Sequence, residues 1–452
     1  MKDFVQNIKG KKVTVLGAAR SGVAVATLLN EKGASVFLSE KSDVNHKSGE
    51  VKQLKAAGIE SEFGGHSSRI ADADLWVVSP GIPLSSDVLK TAKEKNISVF
   101  GELEVASWFC KSPIVAITGS NGKSTVTALL GEIFKTEGRP CVVAGNIGNP
   151  FSTVVSETRE NGVAVLEVSS FQLETIHSFH PRIAVILNLT PDHLDRHGSM
   201  ETYGKIKSRI FERQTESDFI VYNGKDLFVR EMIKKARSQP IVFGVEKNSD
   251  NYGFVKNGQM ILQLSGNREM LMPVNEMQIK GEHNLANGLA AALAARLMGV
   301  DVTTMRNTFH SFKGLPHRME FIRNLDGVDW INDSKATNVD AVWYALGSYS
   351  NPVVLIAGGR DKDSDFTQLR KRLEKTTKSI ILIGEAAEKM KNAFKEICPL
   401  IVSTSFEDCI KKAKEISQPG DVVLLSPGCA SFDWFENFED RGDQFRDIVN
   451  RL

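Results

Sequence analysis

A glycine-rich loop with a lysine and two hydroxyl residues carries the clearest chemical signal in this 452-residue chain. The loop consists of Gly119, Ser120, Asn121, Gly122, Lys123, Ser124 and Thr125. An apolar run at 113–117 predicts a strand before it, and a helical pattern begins at Ser124. Backbone N–H groups of such a loop bind phosphate oxygens, and its lysine and hydroxyl groups can reach the terminal phosphates and Mg²⁺. Although Ile117 stands where the usual pattern has its first glycine, the loop predicts that the chain binds a nucleoside triphosphate.

An acidic residue at the end of a predicted strand gives a second signal. The apolar run 163–166 ends at Glu167. Ligands of an open α/β sheet bind at the carboxyl ends of its strands, and carboxylate oxygens suit Mg²⁺. Glu167 is therefore predicted to be a magnesium ligand, and the alternative is an acid that simply faces solvent.

A second glycine-rich loop, from Gly17 to Gly22, is similar to a dinucleotide-binding fingerprint. It departs from that pattern at the middle position, where Ala19 would crowd the approach of a pyrophosphate. Glu40, about twenty residues further on, could hydrogen-bond a ribose or a base. Three interpretations remain open at this point: an NAD site, a site for a nucleotide-like group held more loosely, and a purely structural turn.

Four polar clusters follow apolar runs further along the chain. They span residues 192–197, 316–320, 332–338 and 358–362. A single cluster of this kind fits a solvated loop. Four of them after a phosphate loop predict a site formed where several domains meet.

The length and the alternation of strand and helix patterns predict three α/β domains with mainly parallel sheets. We place them at residues 1–108, 109–313 and 314–452.

Composition narrows the possible partners and compartments. The chain has 56 basic and 55 acidic residues, which gives no electrostatic reason to expect a nucleic-acid partner. No apolar run is long enough to span a membrane, and the N-terminal residues Met1, Lys2, Asp3 and Phe4 lack a signal core. The five cysteines show no metal-ligand spacing. We expect a cytoplasmic protein with reduced thiols, without nucleic-acid or membrane partners.

Motifs along the whole chain resemble those of the Mur ligases, a family of ATP-dependent amide ligases. These motifs are the runs 119–125, 188–195, 281–287 and 332–338. The run 101–104, the first segment and the tail 425–442 resemble the branch of that family that adds D-glutamate. The resemblance implies an N-terminal Rossmann-like UDP-binding domain, a central P-loop ATPase-like domain and a C-terminal Rossmann-like domain that binds the amino acid.

The resemblance also implies which residues contact each substrate. The UDP part of UDP-N-acetylmuramoyl-L-alanine is assigned to Arg20, Ser21, Glu40 and Gly81, and its muramoyl part to Asn146. ATP is assigned to the phosphate loop with Asn284, Arg318, Asp333 and Lys335. D-Glutamate is assigned to Thr337, Lys362, Ser431, Phe432 and Phe438. Lys362 and a helix predicted to start at Ser431 would supply a cation and N–H donors for its carboxylates.

Two Mg²⁺ ions are implied, with Ser124, Glu167, His193 and Lys207 as ligands. Lys207 aligns with the family segment that carries a carbamylated lysine, in which CO₂ converts the amine into an anion suited to Mg²⁺. The nearby Lys205 is expected to be solvated. Lys123, Glu167, His193 and Lys207 form the implied catalytic set.

The implied reaction activates the carboxylate of the UDP-sugar as an acyl phosphate, which the amine of D-glutamate then attacks. Three alternatives remain: a related amide ligase with another substrate, an NAD-dependent oxidoreductase built on the first loop, and a non-catalytic nucleotide switch. We expect a monomer that acts on small molecules.

Overall fold

The computed structural model describes residues 7–245 and 251–452, apart from the side chains of His46 and Asp195. Residues 1–4, which were predicted to lack a signal core, lie outside the described part. The chain divides into two compact units. The first unit comprises Met1–Leu189, Glu201–Val274 and Gly288–Thr308. The second unit comprises Thr190–Met200, Asn275–Asn287 and Phe309–Leu452.

The first sheet is parallel throughout and belongs to the first unit. Its strands are β1 (Lys12–Leu16), β2 (Ser35–Glu40), β3 (Glu60–Phe63), β4 (Leu75–Val78) and β5 (Ser98–Gly101). The helices of this segment are α1 (Arg20–Glu31), α2 (Ser48–Ala56), α3 (Asp87–Glu94) and α4 (Glu102–Ser107). The strand order is β3-β2-β1-β4-β5. Because the order reverses between β1 and β4, the loops after these strands diverge and leave a crevice.

The second sheet carries the phosphate loop. Its strands are β6 (Ile114–Thr118), β7 (Cys141–Gly145), β8 (Val163–Glu167), β9 (Ile183–Ile186), β10 (Phe219–Asn223), β11 (Gln239–Phe243), β12 (Tyr252–Lys256), β13 (Gln259–Leu264) and β14 (Asn267–Pro273). The helices of this segment are α5 (Lys123–Glu137), α6 (Phe151–Val154), α7 (Ser170–Leu173), α8 (Leu194–His197), α9 (Met200–Ser208), α10 (Leu227–Ile233), α11 (Glu282–Leu297) and α12 (Val302–Ser311). The order is β14-β13-β12-β11-β10-β9-β6-β8-β7, with antiparallel pairing only from β12 to β14. Strand β6 therefore lies between β8 and β9, and the phosphate loop is flanked by the carboxyl ends of both.

The third sheet belongs to the second unit. Its strands are β15 (Glu320–Leu325), β16 (Val328–Asn332), β17 (Val353–Gly358), β18 (Thr377–Ile383), β19 (Leu400–Val402) and β20 (Val422–Leu425). Its helices are α13 (Val339–Leu346), α14 (Arg370–Thr376), α15 (Ala387–Ala393), α16 (Phe406–Ile416) and α17 (Phe438–Arg451). The order is β15-β16-β20-β17-β18-β19, and only β15 is antiparallel to its neighbour. Alternate residues of β17 join two different buried clusters: Val353, Leu355 and Ala357 form part of one, and Val354 and Ile356 form part of the other. Both faces of this strand are covered, which explains its continuous apolar sequence.

The α/β fold with three largely parallel sheets, predicted from the sequence, is confirmed. The domain boundaries at 108/109 and 313/314 stay a prediction. No helix in the described part of the chain is both long and apolar enough to cross a membrane.

The helix predicted to start at Ser431 is wrong. The backbone N–H groups of Trp434 and Phe435 both donate to Ser431 O, at 3.2 and 3.0 Å, so the chain makes a single turn there. The helix α17 begins at Phe438. The extended backbone of Asn437 separates it from that turn, and the Asn437 side chain caps it by accepting from Asp440 N at 2.7 Å.

Candidate active site

A cavity of about 920 Å³ lies in the first unit at the carboxyl ends of strands from the first and second sheets. Five residues predicted to bind the UDP-sugar line it: Arg20, Ser21, Glu40, Gly81 and Asn146. Arg20 and Ser21 follow β1, Glu40 ends β2, Gly81 follows β4 and Asn146 follows β7. Pockets for small organic ligands typically measure about 300–1,000 Å³, so this cavity has the size for a nucleotide-sugar.

The carboxylate of Glu40 is already engaged by backbone groups at the cavity wall. Its Oε2 accepts from Ala18 N at 2.6 Å and its Oε1 from Ser42 N at 2.8 Å. Burial acts to raise the pKa of Glu40, but these hydrogen bonds and the charge of Lys47 hold that pKa below its ordinary value. Glu40 thus orders the loop after β1 as an anion, and its predicted contact with a ribose or base stays a prediction.

The loop after β1 joins the two walls of the cavity. Arg20 is exposed at the start of α1, and its Nη1 donates to Gly148 O at 3.4 Å. A Cβ at Gly22 would lie 1.9 Å from Gly17 O, so only glycine allows this close turn. Ala19 precedes the helix as its N-cap, and the loop therefore lacks the close-approach glycine of a dinucleotide site.

The phosphate loop has the backbone geometry of an anion cradle. Gly119 and Gly122 adopt φ angles of 153° and 86°, which favour glycine. Helix α5 begins at Lys123, one residue before the predicted start. The N–H groups of its first turn, which includes Ser124 and Thr125, are the groups that bind phosphate in such a loop.

Lys123 lies close over this loop. Its Nζ donates to Gly119 O at 2.9 Å and to Ser120 O at 2.8 Å. The ammonium group of a lysine is a compact charge on a flexible chain, so Lys123 can turn from these carbonyls to a phosphate oxygen.

Asn188, which was not predicted as a site residue, holds the phosphate loop from the neighbouring strand. Its Oδ1 accepts from Asn121 N at 2.8 Å, and its Nδ2 donates to Asn121 O at 3.0 Å. Its backbone carbonyl accepts from Ser120 N at 3.1 Å. Its position just after the apolar run 183–187 is the one signal that the sequence offered, and the pairing of β9 with β6 is visible only in the structure.

Glu167 ends β8 and is 2 % exposed. Asn146 donates to it twice, from Nδ2 to Oε1 at 2.8 Å and from its backbone N to the Glu167 carbonyl at 2.9 Å. Its Oε2 is buried and has no hydrogen-bond partner among the described residues. A buried carboxylate oxygen without a donor fits a cation, so the residue present suits the predicted Mg²⁺.

Lys207, on α9, is 1 % exposed. Its Nζ donates to Gly119 O at 2.9 Å and to Thr118 Oγ1 at 3.3 Å, and it lies 4.6 Å from the ring centre of Tyr203. Lys205 is exposed, as predicted. The structure thus separates the two lysines and places Lys207 at the base of the phosphate loop.

The predicted metal ligands fall into both compact units. Ser124, Glu167 and Lys207 belong to the first, and His193 belongs to the second. His193 has a left-handed backbone, with φ 53°, and its Nε2 lies 3.7 Å from Asp192 Oδ2. In the described part of the chain, three or more His, Cys, Asp or Glu side chains do not converge on one point.

Asp192 also organises part of the predicted D-glutamate site in the second unit. Lys362 Nζ lies 3.7 Å from Asp192 Oδ1, and Asn338 Nδ2 donates to Asp192 Oδ2 at 3.4 Å. Thr337, adjacent to Asn338, is half-buried. Residues of the polar clusters at 192–197, 332–338 and 358–362 therefore lie next to one another within this unit, whereas the site predicted where several domains meet stays a prediction.

Asp333 and Arg318, two predicted ATP residues, pair with each other. Arg318 Nη1 lies 3.6 Å from Asp333 Oδ1, and Ser426 Oγ donates to Asp333 Oδ2 at 3.0 Å. Burial raises the pKa of Asp333 to about 6, against the effect of the Arg318 charge. Burial and the same arginine lower the pKa of His283 to about 3, which keeps that imidazole neutral.

The other predicted site residues of the second unit differ in their contacts and in their exposure. Lys335 lies with its Nζ 4.8 Å from the ring centre of Phe438. Asn284 donates to Lys280 O at 2.8 Å at the start of α11. Ser431 is buried, whereas Phe432 is 61 % exposed.

Comparison with known families assigns almost the whole chain. Residues 11–101 match "Mur ligase MurD-like, N-terminal domain", residues 117–295 match "Mur ligase middle domain" and residues 317–429 match "Mur ligase, glutamate ligase domain". The chain belongs to the Mur ligase family.

Two curated relatives of this Mur ligase have the same name. A protein of Salinibacter ruber is 44 % identical over 98 % of this chain and 99 % of its own, and is named UDP-N-acetylmuramoylalanine--D-glutamate ligase. A protein of Pelotomaculum thermopropionicum is 43 % identical over 100 % of this chain and 99 % of its own, and has the same name.

Solved structures agree on the fold. A UDP-N-acetylmuramate-alanine ligase from Thermotoga maritima superposes with a TM-score of 0.61 at 18 % identity, covering 98 % of this chain and 99 % of its own. A pseudomurein peptide ligase type C from Methanothermus fervidus gives a TM-score of 0.60 at 20 % identity, covering 98 % and 100 %. The three-domain Mur ligase fold is thereby established for this chain.

Sequence reasoning also missed a buried arginine of this Mur ligase. Arg441 is fully buried and donates to Ser334 Oγ, Ser334 O and Cys429 O at 2.8–3.3 Å. Burial lowers its pKa to about 10. It connects the loops after β16 and β20, and a single arginine in a helix rich in charged residues gave no sequence signal of this.

Proposed function

We propose that this Mur ligase uses ATP and Mg²⁺ to join D-glutamate to UDP-N-acetylmuramoyl-L-alanine, a step of peptidoglycan biosynthesis. One observation carries the proposal: the residues assigned to the UDP-sugar line one cavity, and its Asn146 is hydrogen-bonded to Glu167 beside the phosphate loop. A nucleotide-sugar bound in that cavity would lie against Asn146, which is hydrogen-bonded to the carboxylate that flanks the phosphate loop. The name shared by the relatives supports this substrate pair.

The first step activates a poor electrophile. A carboxylate oxygen of the L-alanyl group attacks the γ-phosphorus of ATP, the bond to the β,γ-bridging oxygen breaks, and ADP leaves. The N–H groups at the start of α5 and Lys123 would stabilise the phosphoryl oxygens during transfer. Of the predicted Mg²⁺ ligands, Ser124, Glu167 and Lys207 of the first unit would hold a metal that withdraws charge from these oxygens.

The second step forms the amide. The neutral amine of D-glutamate attacks the acyl phosphate carbonyl, the C–O bond to phosphate breaks, and the amine proton passes to phosphate or solvent. Lys362 and Ser431, with Thr337, Phe432 and Phe438, would hold the amino acid through its carboxylates and its carbon chain. Lys362 supplies the positive charge that a dicarboxylic amino acid needs.

Carbamylation of Lys207 and a second Mg²⁺ are parts of the same proposal. Lys207 is buried beside Gly119, the first residue of the phosphate loop. A carbamate would give this position two anionic oxygens, which suit a hard cation better than an ammonium does. We also propose that the protein works as a monomer in the cytoplasm, on small molecules alone.

Phosphate release measured with purified protein tests this function. Turnover should require ATP, Mg²⁺, UDP-N-acetylmuramoyl-L-alanine and D-glutamate together, and L-glutamate should not replace D-glutamate. Lys123→Ala should lower turnover by roughly 10²–10³-fold, the usual loss when a charge-stabilising donor is removed. Lys135→Ala, an exposed lysine on the same helix, is the control. Equal turnover with another amino acid, or a Lys123→Ala protein with half of its activity, would refute the assignment.

A further inference from the structure

Two buried glutamates connect the first sheet to the second within the first unit. Glu102 and Glu104 stand on α4, the short helix that follows β5, and are 1 % and 0 % exposed. The helix is followed within a few residues by β6, so it is the covalent link between the two sheets. The catalytic steps above do not use either carboxylate.

Glu104 accepts hydrogen bonds from the backbone of a segment that leads into a strand of the second sheet. Its Oε2 accepts from His177 N and Phe179 N, both at 2.9 Å. Its Oε1 accepts from Ser178 N at 2.9 Å, from the Ser178 hydroxyl and from Trp108 Nε1 at 3.0 Å. Three consecutive backbone amides just before β9 are therefore bound by one side chain.

The same segment touches the end of β5 at two more places. Gly101 N donates to Thr175 O at 3.3 Å, and a Cβ at Gly101 would lie 2.2 Å from Thr175 Oγ1. His177 Nε2 donates to Val99 O at 3.0 Å. The first sheet thus contacts the residues that follow α7 through backbone groups, a ring and the Glu104 carboxylate.

Glu104 is thus one anchor between α4 and the segments of the second sheet, and Glu102 is the second anchor. Its Oε1 accepts from Ser152 N at 2.6 Å and from Ser152 Oγ at 2.7 Å, on the short helix α6. Burial raises the pKa of Glu102, and its Oε2 has no partner among the described residues. The anchor is therefore a single carboxylate oxygen at the start of α6.

Both anchors are adjacent to the cavity wall that the second sheet provides. That wall consists of Gly145, Asn146, Gly148, Pro150 and Gln172. Ser152, bound by Glu102, comes two residues after Pro150, and Thr175, bound at Gly101, comes three residues after Gln172. The opposite wall belongs to the first sheet. The two glutamates lie on α4, which directly follows β5 of that sheet.

We propose that Glu104, assisted by Glu102, is a positioning residue that fixes the separation of the two walls of this cavity and so sets the affinity for the nucleotide-sugar. The inference rests on the proposed function, because it takes the UDP-sugar as the occupant. It assigns no contact between either glutamate and a substrate.

The chemistry of Glu104 suggests an isosteric test. Each of its oxygens accepts at least two N–H or O–H groups, and hydrogen bonds to a carboxylate are about twice as strong as neutral ones. In Glu104→Gln, one of these oxygens becomes an NH₂ group that faces N–H donors. At least two hydrogen bonds are lost with almost no change of shape.

The experiment measures two affinities in the same full-length protein by calorimetry. The ligands are UDP-N-acetylmuramoyl-L-alanine and the magnesium complex of a non-hydrolysable ATP analogue. Glu104→Gln should weaken the UDP-sugar by about tenfold and the ATP analogue by less than about twofold. Hydrogen exchange of the amides of residues 177–179 should rise in the same variant. Glu94→Gln, an exposed carboxylate on α3, is the matched control and should change neither value.

Milder variants decide the question if Glu104→Gln does not fold. Ser178→Ala removes only the hydroxyl that donates to Glu104, and Trp108→Phe removes only the indole N–H. Each should weaken the UDP-sugar by about two- to threefold without affecting the ATP analogue.

Equal loss of both affinities would mean that the glutamates only support the general stability of the protein. An unchanged UDP-sugar affinity would mean that they do not influence binding in the cavity. Either result overturns the inference. A wild-type protein that binds no UDP-sugar, yet protects residues 177–179 from exchange, would instead refute the proposed function on which the inference rests.

Discussion

The side chain of Asn188 binds both backbone groups of Asn121, through hydrogen bonds of 2.8 and 3.0 Å. A loop rich in glycine has many accessible conformations, and this two-point contact selects one of them for the phosphate loop. The contact joins the loop after β9 to the loop after β6, which lie side by side because their strands are neighbours.

Asn188→Ala should therefore impair ATP use more than use of the other substrates. Asn188→Ala removes both of these side-chain hydrogen bonds to the Asn121 backbone, an effect of about 1–3 kcal/mol, and we expect KM for ATP to rise by roughly tenfold or more. Asn188→Asp should be worse, since one of its oxygens would face Asn121 O. Steady-state kinetics with the UDP-sugar and D-glutamate saturating measures this, with the exposed Asn392→Ala as control. An unchanged KM for ATP in Asn188→Asp would show that the contact between Asn188 and Asn121 does not affect nucleotide binding.

Lys362→Ala and Ser431→Ala should each raise KM for D-glutamate with smaller effects on ATP. Lys362 should have the larger effect, because charge-assisted contacts are roughly twice as strong as neutral ones. Since no helix starts at Ser431, its contribution is expected from its own hydroxyl and turn. Kinetics at varied D-glutamate measures both, with exposed Lys371→Ala as control. Identical D-glutamate saturation in the two variants and the wild type would locate the amino-acid site elsewhere.

Lys207 should carry a carbamate in the active enzyme. Lys207→Ala should lose most activity, and a small carboxylate such as acetate should restore part of it by filling the vacated space. The direct measurement is NMR or mass detection of ¹³C-labelled CO₂ on this side chain. Lys205→Ala, which alters an exposed lysine on the same helix, should retain the label and the activity. Fully active enzyme with an unmodified Lys207 would contradict the prediction.

Asp333 should make stability fall as the pH rises. Burial raises its pKa in the folded state to about 6, whereas an unfolded aspartate titrates near the ordinary value of about 3.9. The folded state therefore binds the proton more tightly, and its contribution is complete below about pH 4 and is lost as the pH rises through about 6. The full change is of order 2–3 kcal/mol.

The thermal unfolding midpoint checks this prediction. The midpoint of the wild type should fall relative to that of Asp333→Asn between about pH 4 and pH 7. Asp363→Asn, whose side chain is 99 % exposed, is the control and should run parallel to the wild type. Parallel profiles for Asp333→Asn would mean that the native aspartate titrates as it does in the unfolded chain.

Strand positions and the phosphate loop were predictable because local patterns encode them. The run at 353–357 is apolar at every position, since both faces of β17 are buried, and such a run reads as a parallel-sheet strand without any tertiary information. Glu167 was placed at a strand end for the same reason. Its position next to the phosphate loop followed only from the pairing of β6 with β8, in which Ile117 and Glu167 are partners.

Side-chain partners could not be predicted from those patterns. The hydrogen bonds that Glu40 accepts from Ala18 N and Ser42 N were not anticipated, and its contact with a ribose or base stays a prediction. The patterns also gave no indication that Lys335 lies over the ring of Phe438 or that Asp333 pairs with Arg318.

The sequence by itself determined the order of strands and helices, the phosphate-loop chemistry and the family. These depend on residues close together in the chain, whose periodicity and spacing are fixed before folding. Tertiary structure alone decided that Glu104 binds residues 177–179 and that Asn188 holds Asn121. Each of those contacts joins groups far apart in sequence, and a buried carboxylate or amide selects its partners by distance and unmet hydrogen bonds, neither of which the linear pattern contains.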